Sequence, residues 1–562
     1  MFIVKKNIHG REYYYLNENK RIKGTGKVKT KTIAYLGKTK KEAEKKAREI
    51  IKKVEKRKMK KNNIKPKEEK KIVQEIKKQG KTKISIEELA NFCKKKGFVF
   101  RSSDIYGGFA GFWDFGHLGI ELLNNIKREW WNFFVREKEN IAGMEASILS
   151  HPKIWKASGH LDSFKDVMGR CKKCGRFMKF EEGMCTCSGE LEKIDDFNLM
   201  FETKVGIDKN FELSYLRPET AQGMFTDFKL IQQTSRMQLP FGIAQIGKCF
   251  RNEIAPRDFL FRSREFHIAE LEFFINPDDK KCDFLDSKHL SVNFNFLDKE
   301  TQKKNSETLR EVTIEKLVKE KRLDEWHAYW LSEQILWIKS LGLNDIKVRE
   351  HTEEELSHYS SATFDIDYKY PFGSKEIAGI ANRGQFDLTQ HQNESRENME
   401  FFDENLVKKI IPKVIEPTFG VERIFLAILS NAYYCDKERN NIVLKIPPKL
   451  SPIKAAIFPI VKQPKFEKIS GKIVKDLKKE WNVVYDKSGS IGRRYARNDE
   501  IGTPMCITID EQTPKDNTVT IRWRDTTEQV RIKIKDLKEI VREVINGKNL
   551  LELGKLVHTR KK

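Results

Sequence analysis

Two runs of alternating apolar and polar residues flank a loop crowded with charge. FGIAQIGKCF, residues 241–250, and HIAELEFFI, residues 267–275, read as strands with one buried face. The loop between them, RNEIAPRDFLFRSREF, holds four arginines in its sixteen residues. Alternation places Gln245, Gly247, Cys249, Arg251 and Glu253 on one face of the first strand. On the second it places Phe266, Ile268, Glu270 and Glu272 together, with Phe266 and Glu270 roughly 13 Å apart. Gly247 predicts a close approach to that face. An aromatic plate, an arginine and carboxylates in a row suit an elongated ligand with a flat base, a phosphate and a cationic end.

The same patterning divides the chain. FIVKK, EYYYL and TKTIAYL predict three short strands, and 40–61 a basic helix. Together they form a β-β-β-α appendage over 1–62, followed by a Lys-rich linker and helix over 63–95 containing Pro66. Residues 96–440 alternate strand and helix and are rich in aromatics. Residues 282–341 read as highly charged and mostly helical. From 450 to 553 the pattern becomes compact: AAIFPIV, NVVYD, CITIDEQ and TVTIRWRD as strands, with PKFEKISGKIVKDLKKEW and LKEIVREVING as helices. A basic tail, 554–562, ends the chain. The fold class is α/β (α+β).

Composition sharpens this. Of 562 residues 39% are apolar and 34% charged, with a formal net charge of +26. Such a surplus points to a polyanionic partner, nucleic acid first, and the appendage can hold RNA through phosphate contacts. No run approaches the ~20 apolar residues of a membrane span, and MFIVKKNIHG has no signal-peptide core, so a cytoplasmic protein is expected. Four of nine cysteines cluster as Cys171-Lys-Lys-Cys174 and Cys185-Thr-Cys187. Two close pairs about ten residues apart can close one tetrahedral site; four thiolates with no open position imply structural zinc.

FRNE followed by RSREF resembles motif 2 of the class II aminoacyl-tRNA synthetases, and KVIEPTFGVERIFLAIL resembles their motif 3. SSDIYGGFAGFWDFGHLGIELLNNIKREWW, WKASGHLDSF, YLRPETAQGMF, LSHYSSATFDIDYKYPFG, KEIAGIANRGQFDLTQH and SGSIGRRYARNDEIGTP, taken in order, resemble the glycyl-tRNA synthetases of the α2 type from about residue 96 onward. The resemblance implies an antiparallel-sheet class II catalytic core and a C-terminal anticodon-binding domain. It also implies a homodimer that joins glycine to ATP with Mg2+ and then to the 3′ end of tRNA(Gly).

By position it assigns ATP contacts to Arg251, Asn252, Glu253, Phe261, Arg262, Ser263, Arg264, Glu265, Phe266, Glu376, Ile377, Gly420, Val421, Glu422 and Arg423. Arg251 would hold the α-phosphate, Glu253 would stand near the adenine amino group, Phe266 would stack on adenine, and Glu376 would act through magnesium. Arg251, Glu253 and Arg423 form the catalytic set. Glycine contacts fall to Arg176, Glu219, Phe266, His267, Ile268, Ala269, Glu270, Glu416, Pro417, Thr418, Phe419 and Gly420. Glu219, Glu270 and Glu416 suit an ammonium group, and Arg176 would reach the glycine carboxylate. Thr418 stands where the family usually has Ser, so its methyl reshapes the pocket. His117 stands where the family usually has Pro and reads as structural. A synthetase for another small amino acid and a catalytically inactive nucleic-acid-binding paralogue are the alternatives. The retained ATP-site residues weigh against the second.

Overall fold

The structure, a computed structural model, describes residues 2–8, 11–21, 28–37, 84–207, 211–357, 360–403 and 407–557. The chain divides into two units, Met1–Lys81 and Thr82–Lys562. In the first, strands Phe2–Ile8, Arg11–Arg21 and Val28–Gly37 form an antiparallel sheet in chain order. The basic helix expected over 40–61 lies outside the described residues.

The second unit is built on a nine-stranded sheet. Its order is Arg310–Thr313, Asn293–Leu297, Ile346–Glu350, Ala362–Tyr370, Gly373–Gly384, Lys413–Gly420, Glu265–Ile275, Phe241–Phe250 and Ile141–Gly143. The two predicted motif strands, Phe241–Phe250 and Glu265–Ile275, pair antiparallel with Gln245 opposite Glu270 and Cys249 opposite Phe266. Directly opposite residues share a face, so the alternation in the sequence becomes one continuous polar surface.

The other face of these strands is apolar. Ala269, Leu271 and Phe273 pack with Trp130, Phe134, Trp330, Trp337 and Phe419 in the main core. Helix Glu325–Ser340 lies there, buried nearly all round, and is fastened by Gln334, whose amide donates to the Gly379 carbonyl at 2.8 Å. Burying each such aromatic or aliphatic side chain contributes about 1.5–3 kcal/mol. The charged 282–341 stretch is just over half helix, as expected, and also carries strand. It supplies two edge strands, and in NFNFL Phe294 and Phe296 turn inward while Asn293 and Asn295 stay exposed.

The C-terminal part forms a six-stranded sheet in the order Val483–Tyr485, Ala455–Pro459, Met505–Ile509, Thr518–Trp523, Gln529–Lys533 and Lys555–Leu556. Its first three strands run parallel and the rest antiparallel. Helices Pro464–Leu477 and Leu537–Ile545 cover it through Phe466, Ile473, Val541 and Val544. Asn125 of the core donates to the carbonyls of Leu450 and Ser451 at 3.0 and 3.1 Å, pinning the chain where it enters this sheet.

Candidate active site

A cleft of about 630 Å³ opens over the polar face where the arginine loop, the end of the Lys413–Gly420 strand and helix Val421–Ala432 meet. Arg251 is set at its side by a backbone bond from its N–H to Arg264 O, 3.0 Å. Its Nε donates to Pro218 O at 3.1 Å, and its guanidinium lies 5.4 Å from both the Phe164 and Phe266 ring centres. The arginine is thus clamped between two rings, which fixes a planar cation beside an aromatic plate.

Arg262 and Arg264 of the same loop are held by Glu253. Arg262 Nε and Nη2 reach its Oε2 at 2.7 and 2.6 Å, and Arg264 donates to its carbonyl at 3.1 and 2.9 Å. Across the cleft Arg423 pairs with Glu376 at 3.0 Å and stands 4.6 Å from the Phe261 ring centre. A Cβ at Gly420 would lie 2.9 Å from Arg423 Cδ, so this glycine lets the arginine fold back over the strand end. Burial works to raise the Glu376 carboxyl, but Arg423 overcomes it and holds the group below its usual range.

Behind the cleft the polar face turns acidic. Glu270 stands opposite Thr418, which in turn stands opposite Gly379. Thr220 donates both its N–H (2.8 Å) and its hydroxyl to Glu270. Arg383, 1% exposed, sits at the centre: Nη1 reaches Glu416 Oε1 at 2.9 Å, Nε reaches Asp387 Oδ2 at 2.7 Å, and Nη2 lies 3.9 Å from Glu219. His160 Nε2 stands 3.3 Å from the second Glu219 oxygen, and Gln222 bridges Glu219 and Asp387 at 3.0 Å each. One guanidinium cannot neutralise so many buried carboxylates, and their acidities separate accordingly. Burial opposes Glu219 ionising, yet His160 and Arg383 keep it well below the usual range. Burial pushes Glu270 up, with Glu219 adding to it, and pushes Glu416 up to about 8.

The space predicted above Gly247 is taken by the protein itself. A Cβ there would run into Arg217 Nη2 and stand 2.8 Å from Thr220 Cγ2. Arg217 donates to Lys248 O and Ala146 O at 2.8 and 2.7 Å, so it locks the Arg-Pro-Glu-Thr segment over the strand and aims Glu219 inward.

The four cysteines converge: the sulfurs of Cys171, Cys174, Cys185 and Cys187 all lie within 4.8 Å of one another, two pairs at 3.5 Å. Sulfurs each about 2.3 Å from one tetrahedral zinc stand about 3.8 Å apart, so the cage fits that ion. The strand that ends at Cys171 begins beside the cleft. Its Asp166 accepts from Lys179 at 2.5 Å and lies 3.8 Å from Arg262.

Residues 201–294 match the family model "tRNA synthetase class II core domain (G, H, P, S and T)", and 454–544 match "Anticodon binding domain". Among solved structures, the prolyl-tRNA synthetase of Cryptosporidium parvum complexed with L-proline and AMP superposes with a TM-score of 0.51 at 15% identity, covering 82% of this chain and 76% of that one. That likeness shows the fold. Glycine–tRNA ligase from Treponema denticola is 40% identical over 470 residues, 80% of this chain and 95% of the relative. The enzyme from Geobacillus thermodenitrificans is 41% identical over 495 residues, 81% and 96% respectively. The chain belongs to the glycine–tRNA ligase family. As such it is an aminoacyl-tRNA ligase on a class II core.

Against what the resemblance implies for a glycine–tRNA ligase, Arg251, Glu253, Phe261, Arg262, Ser263 and Phe266 from the loop line the cleft, as do Glu376, Gly420, Glu422 and Arg423. Asn252, Arg264, Glu265, Ile377 and Val421 do not. Asn252 N–H is spent on Leu199 O, Glu265 pairs with Lys248, and Ile377 and Val421 are buried. Of the residues expected at glycine, His267, Ile268 and Thr418 also line the cleft, while Glu219, Glu270 and Glu416 form a buried acidic cluster behind it. Ala269 and Phe419 point into the opposite core, and Pro417 is buried between Glu416 and Thr418. Arg176 is exposed on the cysteine turn, where its carbonyl accepts from Cys171 N–H at 2.8 Å. Sequence reasoning gave no role to Arg383, His160, Gln222 or Asp387. Their only signal was membership of the KEIAGIANRGQFDLTQH and WKASGHLDSF stretches and of RPETAQG.

Proposed function

We propose that this chain activates glycine with ATP and transfers it to tRNA(Gly), with the cleft and the pocket behind it as the two halves of one site. The observation that carries the reading is their continuity on one sheet face. The Ile268–Gly420 pair lies in the nucleotide cleft, and the next polar pair along, Glu270–Thr418, opens the acidic pocket. A glycine lying across these pairs puts its ammonium among Glu219, Glu270 and Glu416 and its carboxylate toward Arg251.

In the first step the glycine carboxylate oxygen bonds to the α-phosphorus and the bond to the bridging oxygen breaks, releasing pyrophosphate. A carboxylate is already ionised at neutral pH, so no general base is required; catalysis rests on positioning and on neutralising charge. Arg251 holds the α-phosphate, Phe266 stacks on adenine, and Arg262 and Arg423 take the outer phosphates. Glu376 would hold Mg2+, which neutralises the polyphosphate when bound. In the second step a 3′-terminal hydroxyl of tRNA attacks the glycyl carbonyl and AMP leaves.

In this reading the Cys171–Cys187 cage is a structural zinc site, 96–440 the catalytic domain, 450–553 the anticodon-binding domain, and the working form a cytoplasmic homodimer. Pyrophosphate exchange into ATP without tRNA, run with glycine, alanine and serine in parallel, tests it. Exchange with glycine alone is expected. Exchange with alanine or serine would move the substrate, and none at all from a folded protein would overturn the enzyme reading.

A further inference from the structure

A cavity of about 1220 Å³ opens where the chain passes from the nine-stranded sheet to the six-stranded one. Helix His117–Trp131 brings Arg128 and Glu129 to it, and the entering segment brings Pro447, Lys449 and Lys454. Trp481 and Ile545, just beyond and at the end of the two helices that cover the C-terminal sheet, line it as well. None of these residues belongs to the cleft or to the acidic cluster described above.

The charges in this cavity do not balance. Its acids are already matched: Glu129 pairs with Lys449 at 3.0 Å, and Glu480 pairs with Lys538 and Arg542 at 2.8 Å each. Arg128 and Lys454 have only neutral partners. Arg128, exposed at the mouth, donates to Asn125 Oδ1. Lys454, only 5% exposed, donates to Pro448 O and Lys449 O at 3.1 and 2.7 Å. Among the described residues neither forms an ion pair. An ammonium group has three N–H donors, so Lys454 keeps one in hand on a side chain that lines the cavity. A buried cation without a counter-charge is costly. Burial, with Arg128 adding to it and Glu129 and Glu121 opposing, pulls the Lys454 ammonium down to about 7. An anion between Arg128 and Lys454 would offset that cost and complete both donor sets.

We propose that this cavity is a binding site for a small phosphate-bearing anion, held between Arg128 and Lys454. The forked guanidinium at the mouth suits two phosphate oxygens, and the ammonium at the floor suits a third. Pro447, Trp481 and Ile545 give the same cavity an apolar wall, with room for the ring of a mononucleotide. Arg128 lies one helical turn from Asn125, which holds the Leu450 and Ser451 carbonyls. Lys454 immediately precedes the strand Ala455–Pro459, and its N–H donates to Asn482 O at 2.9 Å. A bound anion therefore bridges a core helix and the first strand of the C-terminal sheet, and tightens the joint between them. The site stands independently of the aminoacylation reading.

Calorimetric titration of the full chain with inorganic phosphate, and in parallel with AMP, tests this. Phosphate should bind, and Arg128→Ala should weaken it by about tenfold or more, the effect of losing one charge-assisted contact. Arg128 is exposed and outside the cleft, so glycine-dependent pyrophosphate exchange should persist in that variant and report that it is folded. Lys454→Met, which keeps the stem and removes the charge, should abolish binding; should it fail to fold, Arg128→Ala decides alone. Arg251→Ala should leave this binding intact, which separates it from phosphate in the nucleotide cleft. Hydrogen exchange should slow on phosphate addition at residues 447–455. AMP binding as tightly as phosphate would mark a site for the phosphate group alone, and AMP binding about tenfold tighter a site for a mononucleotide; either supports the site and fixes its ligand. No phosphate or AMP binding, binding untouched by Arg128→Ala, or binding lost in Arg251→Ala with exchange slowed only at 251–266 would overturn the inference.

Discussion

Glu270 and Glu272 sit two positions apart on the same face of one strand and are held in opposite ways. Glu270 accepts two hydrogen bonds from Thr220, whereas neither carboxylate oxygen of Glu272 has a hydrogen-bond partner, although Glu272 is fully buried. Burial pushes the Glu272 carboxyl well above the usual range, with Glu416 adding to the rise and Arg383 opposing it. A group whose folded-state pKa lies above its unfolded value stabilises the fold at low pH and loses that contribution as pH rises through the folded value. Glu272→Gln keeps the shape of the neutral acid and removes the titration. It should stabilise the protein by on the order of 1 kcal/mol at pH 8 and by less at pH 6. Denaturant unfolding at the two pH values checks this; equal or reversed effects would mean that Glu272 is ionised and paired.

In the proposed site Glu416 would connect this electrostatics to substrate. Burial is the main cause of its rise to about 8; Arg383 opposes it, and Glu270 and Glu219 add to it. An ammonium group entering the pocket favours the ionised form, so glycine and the proton compete. Glycine affinity should therefore strengthen from pH 6 to pH 8, and binding should release a proton. By the same linkage the ligand-free protein should lose stability over this range, with glycine restoring it. Calorimetry in buffers of different ionisation enthalpy measures the proton directly. Proton uptake, or none, would contradict this arrangement.

The parts of this site built on alternation were legible in the sequence; the parts built on a buried charge were not. Phe241–Phe250 and Glu265–Ile275 appear where period-two patterning puts them, because each has one polar and one apolar face. The four cysteines announce themselves by spacing. Arg383 does not, since one arginine in a strand looks like an ordinary edge residue until Glu416, Asp387 and Glu219 fold around it from three other segments. Residues 488–504 behave differently again. Their Gly- and Arg-rich composition suggests a phosphate-binding loop, but Ser490 caps a helix there, and Arg494 is buried on Pro459 O and Gly489 O, leaving Arg493 and Arg497 outside.

Thr418 faces Glu270 on one side and Gly379 on the other and lines the cleft. Its hydroxyl can serve where Ser stands in the family, while in the proposed site its methyl would occupy space beside the substrate carbon. Thr418→Ser should keep glycine activation within about threefold and lower discrimination against alanine by about tenfold, as expected for one methyl's worth of packing. The ratio of kcat/KM values in pyrophosphate exchange reads it. An unchanged ratio would mean that another wall excludes alanine.

Arg251 has its position set by Phe164, Phe266 and Pro218 O rather than by an acid. No carboxylate need be displaced when a phosphate arrives, unlike at Arg262 and Arg423. Arg251→Ala should lower adenylate formation by about 10²-fold or more, the effect of removing one preorganised charge donor, with the thermal midpoint little changed. Arg251→Lys should recover only part, because a point charge does not replace a stacked plane. Near-normal exchange in the alanine variant would remove Arg251 from the α-phosphate.

The cysteine cage is coupled to the cleft through one strand. Lys165–Cys171 carries a candidate zinc ligand at its end, and its second residue, Asp166, lies 3.8 Å from Arg262. Asp166 is steadied by Lys179 of the neighbouring strand, Phe177–Lys179, which pairs with it inside the same small sheet. Loss of the metal should loosen that sheet, shift Asp166 and free Arg262 to remain on Glu253. The purified protein should contain about one zinc per chain, as a four-thiolate site holds. Chelation should raise the KM for ATP severalfold while the C-terminal sheet, with its own core, keeps its unfolding transition. Cys174→Ser should reproduce the effect, since its sulfur lies 3.5 Å from that of Cys185. Metal analysis together with exchange kinetics decides the matter: zinc loss with an unchanged ATP KM would leave the cage a fold element with no hold on the cleft.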